Sequence, residues 1–481
     1  MRRMLLSCAA LAVYVCPCPA DDTPATSETL IRLTVQPAPA PKPALRYLLL
    51  PELREIQPGN PCHNYLKCFM EAQKFFYDKE AFQRRDKLLA MPLKELPAQE
   101  LLSYGGSHLK QADYAARLET PDWQILQKLK AEGINLLVPD LQAMRQLANA
   151  LKVRFRAEVA LGRFDDALRT AKTTFALSRH VSEHPIYIGS LVAMAIAHVA
   201  ISPLEEMLEQ PRCPNLYWAL TNLPRPLVPL NKASEGEHLW PLAHLADLDD
   251  NVPMSEDQIK KVCAFVDNIL GDGKPIKQND GARGYLDART KDEGKLNAAR
   301  RRLVDFGLPE ERVARFPPDQ VILLDEKREY EERRDELMKL MTLPPWRFEP
   351  RFSQLEPQIL RNKSKPALFA DFFLPAVQKV HRREWQLEQR IDMLRHVEAL
   401  RMYAAEHDGA LPATLAEITV PLPNDPFTGK PFHYEVKGNT FHLRGTPPDA
   451  EKKNAAANIH YEVTIQKSEV KAQNSETGNG R

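Results

Sequence analysis

Glycine is scarce in this chain. Its 481 residues include 19 glycines against 40 prolines, the reverse of the usual order of about 7% glycine and about 5% proline. Phosphate loops, dinucleotide fingerprints and nucleophile elbows need glycine at fixed offsets. GxGxxG, GxxxxGK(S/T) and GxSxG are all absent, which excludes the P-loop, Rossmann and α/β-hydrolase signatures. An excess of one charge is missing too. There are 65 Lys and Arg against 64 Asp and Glu, a net charge of +1, so the chain lacks the bulk attraction that phosphate contacts need, and no polybasic anchor for anionic lipid is present. No nucleic-acid partner is expected. With 43% hydrophobic and 27% charged residues, the composition is that of a soluble protein of two or three domains.

What is there begins with a secretory pattern. Arg2 and Arg3 precede an apolar core, Leu5 to Val15, and Cys18-Pro19-Ala20 places small residues for cleavage after Ala20. The chain is expected to be exported: periplasmic, envelope-associated or secreted. Two rivals stand beside cleavage: Leu5-Leu6-Ser7-Cys8 loosely resembles a lipoprotein box, though without an apolar core before it, and residues 1–20 could be retained as a tether; cleavage leaves no integral span. Loss of Arg2 and Arg3 takes the net charge from +1 to −1. Residues 21–43 read as a Pro-rich linker, with Pro37, Pro39, Pro41 and Pro43 favouring extended polyproline II. Four cysteines follow: Cys62, Cys68, Cys213 and Cys263. Asn60-Pro61 predicts a helix start, which puts Cys62 and Cys68 on one helix about 9 Å apart along its axis, beyond disulfide reach. Any bridge therefore runs to Cys213 or Cys263; free buried thiols are the other reading.

The body, 44–222, is predicted helical, with its helices stopped by Pro and Gly. The clearest pair is 140–161 and 164–182, joined at Gly162-Arg163, whose three- and four-residue apolar spacing and Ala-Leu-Gly-Arg-Phe-Asp-Asp-Ala-Leu (160–168) suggest a tetratricopeptide-like hairpin. Ile186 to Ile201 is apolar all round and short for a membrane span, so it is expected as a buried central helix. Residues 223–300 read as Pro-rich and irregular, with a flexible turn at 271–275. Residues 301–374 read as a charged helical region, with helices at 309–316 and 319–342; Arg328–Glu332, Glu329–Arg333 and Asp335–Lys339 are candidate i,i+4 pairs on a solvated face. A long helix is expected over 375–408, stopped by Asp408-Gly409. A small module, 409–466, follows, with a hairpin around Lys437-Gly438-Asn439 and a third strand at 459–465. The tail, 467–481, is expected disordered. The fold class is therefore mainly α: an irregular helical-hairpin body, a long connecting helix, and a small C-terminal α+β module with antiparallel strands.

One motif spells a chemistry. His180-Val-Ser-Glu183-His184 is HxxEH: two His at i,i+4 on a helix face can share Zn²⁺ while Glu183 serves as general base on the bound water. Glu205, Glu206 or Glu235 are formally available as a third ligand. Pro185 follows at once and places the motif at a helix end, where the macrodipole and free carbonyls also favour His; a capping or core role is thus the leading reading, and zinc the alternative cofactor. Glu235, Glu237, His238 and His244 near Trp240 form a second polar cluster, read as a surface loop. Tyr217-Trp218 beside Pro224 and Pro226 suggests either a recognition groove or a cap on the helical core. Pro426, Gly429 and Pro431 shape a loop that Asp425 is expected to cap, with Ca²⁺ at Asn424 and Asp425 as a thin alternative.

Two resemblances add to this. Tyr-Leu-Leu-Leu-Pro-Glu-Leu (47–53), Pro58-Gly59-Asn60, Ala115-Ala116-Arg117-Leu118 and Pro214-Asn-Leu-Tyr-Trp-Ala-Leu resemble a group of large exported bacterial proteins of uncharacterised activity, which implies export and a helical body. Leu400, Tyr403, Gly409, Leu411-Pro412, Leu415, Pro423, Asp425-Pro426, Thr428-Gly429, Pro431-Phe432, Tyr434 and Gly438, within 391–443, resemble the heads of type II secretion major pseudopilins. That implies a long helix followed by strands and a role in a secretion or envelope assembly. Here the helix is internal and charged, so a pseudopilin-like module appended to a helical body is expected. Together these readings point to an exported, non-enzymatic scaffold with a protein or peptide partner. A zinc hydrolase using His180, Glu183 and His184 and an accessory component of an envelope assembly are the alternatives.

Overall fold

The computed structural model describes residues 28–70, 72–132, 136–237, 248–270, 281–359, 369–448 and 451–466. The expected signal peptide, the turn at 271–275, His238, Trp240, His244 and the tail 467–481 lie outside the described residues. In chain order the elements are β1 (Thr29–Val35), α1 (Pro61–Met70), α2 (Gln73–Tyr77), α3 (Lys79–Ala90), α4 (Gly106–Ala115), α5 (Leu126–Glu132), α6 (Pro139–Ala160), α7 (Phe164–Ser182), α8 (Tyr187–Leu208), α9 (Tyr217–Thr221), α10 (Glu256–Leu270), α11 (Gly281–Thr290), α12 (Glu293–Asp305), α13 (Glu310–Val313), α14 (Pro318–Met341), α15 (Pro345–Ile359), α16 (Ala370–Glu406), β2 (His433–Lys437), β3 (Thr440–Arg444) and β4 (Ile459–Ile465). The protein is mainly helical with a small four-stranded mixed sheet.

The chain divides into two compact units. Of the described residues, the first comprises those within 125–136 and 234–381; the second comprises those within 28–124, 137–233 and 382–466. Helix α16 contributes its residues up to His381 to the first and those from Arg382 to the second.

The second unit is built on α6, α7 and α8, which pack on one another. The apolar stripe of α6, with Leu141, Met144, Leu147, Leu151 and Phe155, is buried as its spacing predicts. Gly162, at φ +67°, takes the left-handed turn between α6 and α7. Helix α8 is long and apolar enough to cross a membrane, yet 67% of its most apolar stretch is buried in the protein, and Ser178 donates to its Ala193 carbonyl at 2.7 Å. Asn60 caps α1 by accepting from the Cys62 amide at 3.0 Å, so Cys62 and Cys68 share that helix. All four described cysteines are free and buried. Burial pushes the thiols of Cys62, Cys68 and Cys213 up to about 12, which removes the thiolate that disulfide exchange needs.

The sheet corrects the reading of residues 21–43 as a linker. Residues 29–35 form β1, which pairs in parallel with β4 from Thr29↔Ile459 to Val35↔Ile465. The strand order is β1-β4-β3-β2; the β2–β3 hairpin and β3–β4 pairing are antiparallel as predicted, so the sheet is mixed. The alternation Leu33, Val35 inward and Arg32, Thr34 outward fits a half-buried strand; the prolines that follow it obscured that period. The stretch beyond β1 is docked as well, since the Ala38 amide donates to the Arg401 carbonyl at 3.1 Å. The C-terminal strands are therefore not an appended domain. They share one compact unit with the helical body.

In the first unit, 223–300 departs from the irregular reading: α10, α11 and most of α12 lie within it. Helix α14 is not a solvated rod either, because Gln320, Asp325, Glu326 and Arg333 on it are buried. Gln320 donates to the Asp249 and Val252 carbonyls and accepts from the Met254 amide, and Arg302 of α12 forms an ion pair with Asp325. Of the three expected i,i+4 pairs, Glu329–Arg333 forms. Arg328 instead engages Asp250 and Glu331, and Lys339 engages Glu336.

Candidate functional site

The HxxEH segment lies at the end of α7. The helix stops at Ser182 with Glu183 as C-cap, so His180 and His184 do not stand one turn apart on a continuous helix face. Each takes its own environment. His180 Nδ1 hydrogen-bonds with the Tyr65 hydroxyl at 2.9 Å, and its carbonyl accepts from the Trp123 indole at 2.8 Å. His184 is fully buried, with its ring 4.8 Å from that of Trp123. Gly189 leaves room for it: a Cβ there would approach the His184 Cβ to 2.3 Å. Burial holds the two imidazoles well down, to about 4 for His180 and about 3 for His184, so both are neutral at neutral pH. Glu183 forms an ion pair with Lys232 at 3.0 Å. The formally available third ligands are engaged elsewhere, Glu205 with Arg390 and Glu206 with Arg156, while Glu235 is exposed. The segment thus forms the end of α7, with His184 buried beyond it. Among the described residues no group of three His, Cys, Asp or Glu side chains is placed to share an ion.

The charges the sequence left unexplained converge instead on the Arg382–Glu406 portion of α16. Arg390 makes a bidentate pair with Glu205 of α8, its Nη2 lying 2.8 Å from Oε2, and the Tyr461 hydroxyl of β4 donates to the same carboxylate. Arg401 and Glu398 are paired at 3.0 Å with exposures of 1% and 0%. Arg401 also donates to the Gln36 carbonyl at 2.9 Å and the Cys213 carbonyl at 3.0 Å, and Asn215 donates to the Ala38 and Glu398 carbonyls. Arg225 grips Asp392 through two bonds of 2.7 and 2.6 Å. The Leu227 amide donates to Glu388 at 2.8 Å. Pro-rich 214–227, including Tyr217 and its bond to the Pro421 carbonyl, is therefore a packed strap on α16 and not a recognition groove.

Glu388 in this array gives a pH prediction. Burial pushes its carboxyl up to about 7, opposed by the Leu227 amide and Arg225 and reinforced by Asp392 and Glu384. A folded value above the unfolded one means that its stabilisation is complete below about pH 4.5 and is lost as pH rises through 7. Glu388→Gln keeps the acceptor for Leu227 and removes the titration. The variant is expected to gain stability over wild type between pH 5 and pH 8, by about 2–3 kcal/mol, since each tenfold change in proton affinity is worth about 1.4 kcal/mol. Urea unfolding at the two pH values measures it, and a pH-independent difference between the two proteins refutes it.

In the loop after α16, Asp425 caps as expected: it accepts from the Phe427 amide at 2.9 Å, the Thr446 amide at 2.7 Å and Gln389 Nε2 at 3.1 Å. Its oxygens are engaged by N–H donors, and Asn424 donates to the Gly429 carbonyl, so this pair is arranged as a turn clasp. Of the second polar cluster, Glu235 is exposed and Glu237 half-buried.

Two features escaped the sequence reading. The first is a groove of about 510 Å³ between α2–α3 and α6, lined by Phe76, Tyr77, Phe82, Gln83, Gln142 and Gln146, with Lys79 and Asp86 completing its lining. Tyr77 is 58% and Phe82 41% exposed. Behind it the buried Arg85 donates to Gln146 Oε1 at 2.9 Å, which fixes that amide and leaves its NH₂ as the free donor. The second is the outward face of the sheet. The β3–β4 register sets His442 opposite Glu462 and Arg444 opposite His460. His442 Nδ1 and His460 Nε2 lie 3.1 Å apart, and His460 Nδ1 lies 3.2 Å from Glu28 Oε1. Alternation marks each of these residues as outward-facing, but nothing local specifies which strands are neighbours.

Comparison with protein-family models, curated proteins and solved structures returned no match.

Proposed function

We propose that this chain is an exported, non-enzymatic scaffold of the cell envelope that holds an extended peptide segment of a partner protein. The observation that carries the reading is the groove at Phe76, Tyr77 and Phe82. Aromatic rings supply apolar area for an anchor side chain at low entropic cost, and the glutamine amides around them offer the donors and acceptors that a peptide backbone pairs with. Export is supported by the Arg2 to Ala20 pattern. His180 is hydrogen-bonded to Tyr65 and Glu183 is paired with Lys232, while His184 is buried against Trp123 with neither ring nitrogen hydrogen-bonded; these separate environments support a non-enzymatic role. Tyr77→Ala and Phe82→Ala are each expected to weaken binding of fluorescein-labelled peptides with an aromatic anchor at least tenfold, read by anisotropy, with the unfolding midpoint within a few degrees of wild type. A peptide array that gives no ligand, or ligands indifferent to both changes, overturns the reading.

The helix-then-hairpin order of α16, β2 and β3 supports a second reading, that of an accessory component of a secretion or envelope assembly resembling pseudopilin heads. Because residues 382–481 belong to the same unit as the helical body, a test of that role needs surface substitutions on the β2 edge and not deletion of the module.

A further inference from the structure

We propose that the groove between α2–α3 and α6 receives the free C-terminus of a partner chain. The last residue is aromatic, with its ring among Phe76, Tyr77 and Phe82 and its carboxylate on Lys79 and the Gln142 and Gln146 amides; a basic residue three positions earlier faces Asp86. The inference rests on the peptide reading above and adds which end of the chain binds, in which direction and with which charges. It starts from the guanidinium behind the groove. Arg85 is 1% exposed. It donates to the Phe75 and Phe76 carbonyls and the Gln146 amide oxygen at 3.4, 3.1 and 2.9 Å, all of them neutral acceptors, and its Nε has no hydrogen bond. A buried cation held only by neutral groups is costly, and a nearby anion offsets that cost. The charge lies 5.9 Å from the Phe76 ring centre and 5.7 Å from that of Phe82, and both rings line the groove. An anion at the groove wall is therefore attracted across a low-dielectric layer one ring thick.

The wall is set to donate. Gln142 and Gln146 stand one turn apart on α6, and arginines occupy both amide oxygens, Arg85 that of Gln146 and Arg145 that of Gln142 at 3.4 Å. Their NH₂ groups remain as donors for a ligand, and the exposed Lys79 belongs to the same lining. Burial and Asp140 hold the Tyr77 phenol above its usual range, so it stays protonated; Asp140 itself is not a lining residue. A carboxylate carried by the same residue as the ring needs no second side chain to be fixed, which favours a chain end over an internal acidic residue. The other end of the lining has the opposite charge. Lys79, Phe82, Gln83 and Asp86 form one face of α3, with the two charges about 10.5 Å apart along its axis. Helices α3 and α6 run in the same direction here, because Arg85 reaches Gln146 while Leu88, further along, meets Arg156, so Gln142 lies toward the Lys79 end. An extended chain covers about 10.5 Å in about three residues, which sets the basic side chain three positions before the aromatic end.

The test titrates the full chain into the peptide Gly-Gly-Lys-Ala-Ala-Phe, labelled with fluorescein at its N-terminus, as the free acid and as the C-terminal amide, with anisotropy as the readout. Amidation is expected to weaken binding about tenfold or more, the scale of hydrogen bonds to a charged group. Lys79→Met is expected to shrink that preference and Gln146→Glu to erase it, each by weakening the acid and sparing the amide. Gln146→Glu also gives Arg85 a carboxylate of its own, so its unfolding midpoint is expected at or above that of wild type, which keeps the test free of a folding defect. Replacing the peptide lysine by glutamate is expected to weaken binding, and Asp86→Lys to restore it. Equal binding of acid and amide, a preference that survives Gln146→Glu, or a glutamate peptide indifferent to Asp86→Lys overturns the proposal. Binding of neither peptide overturns it as well, whereas the groove reading itself falls only if the wider array yields no ligand sensitive to Tyr77→Ala and Phe82→Ala.

Discussion

Arg401→Ala is expected to lower the unfolding free energy by about 3–5 kcal/mol, the cost of removing one partner from a buried ion pair. Arg401 is 1% exposed and Glu398 is fully buried, so the substitution leaves a carboxylate in the interior with no cation. Burial already pushes the Glu398 carboxyl up, and Arg401 is the main influence opposing it. The same substitution strips the donors from the Gln36 and Cys213 carbonyls, and each buried acceptor left unpaired adds about 1–3 kcal/mol of desolvation. Arg401→Met with Glu398→Met removes both charges together and is expected to recover much of the loss, because the penalty comes from the unpaired charge and not from the absence of the bond. Arg401→Lys is expected to fall between, since an ammonium does not reproduce the planar fork. Urea unfolding of the four proteins measures these differences. An Arg401→Ala chain within about 1 kcal/mol of wild type would refute the account of this pair.

The second large effect concerns the strand hidden in the proline-rich segment. Leu33→Asp is expected to cost about 3–5 kcal/mol or more, enough to abolish cooperative unfolding of the unit that contains it. Leu33 is 4% exposed on the inner face of the sheet, and a carboxylate there has no paired cation. Deletion through Gln36 is expected to act in the same direction by a different route. It leaves β4 as an open edge, exposes the inward side chains of Tyr461, Val463 and Ile465, and removes the Gln36 carbonyl that Arg401 binds. Deletion through residue 27 keeps all of β1 and is expected to match wild type. Limited proteolysis with urea unfolding separates these cases. A chain truncated through Gln36 that keeps the wild-type midpoint would show that β1 is an ornament on the sheet and not part of its core.

Strong local signals were legible in the sequence. The α6–α7 hairpin was placed within a residue or two because an apolar stripe at three- and four-residue spacing, a glycine turn and a second stripe leave no competing arrangement. The hairpin at Gly438 and the strand 459–465 were legible for the same reason, with period-two alternation next to a residue that tolerates positive φ. Strand β1 was not, because four alternating prolines just beyond it dominate the composition of that window, and its pairing partner lies more than four hundred residues away. Helices α10 to α12 were missed where prolines and polar residues near 223–255 and 271–280 were extended over segments that carry their own amphipathic period. At the candidate sites, HxxEH was conspicuous as a spelling, but its meaning depended on where α7 stops. The His442–His460 contact had no linear spelling, since its members come from two strands whose pairing the fold sets.

The proline excess illustrates the division well. Prolines at 61, 139, 318 and 345 open helices, a role that chain stereochemistry alone dictates: φ is preset and no amide is missed at a first turn. The sequence by itself therefore determined the class, mainly helical, and the bounds of its most periodic helices, α6 and α7 above all. Only the tertiary structure decided that the N-terminal strand closes the C-terminal sheet, that α16 serves as the common ion-pairing strut of its unit, and that His180 and His184 go to separate environments. Those outcomes depend on long-range pairing and on the desolvation of specific charges, energies set by which surfaces meet and not by any residue's neighbours along the chain.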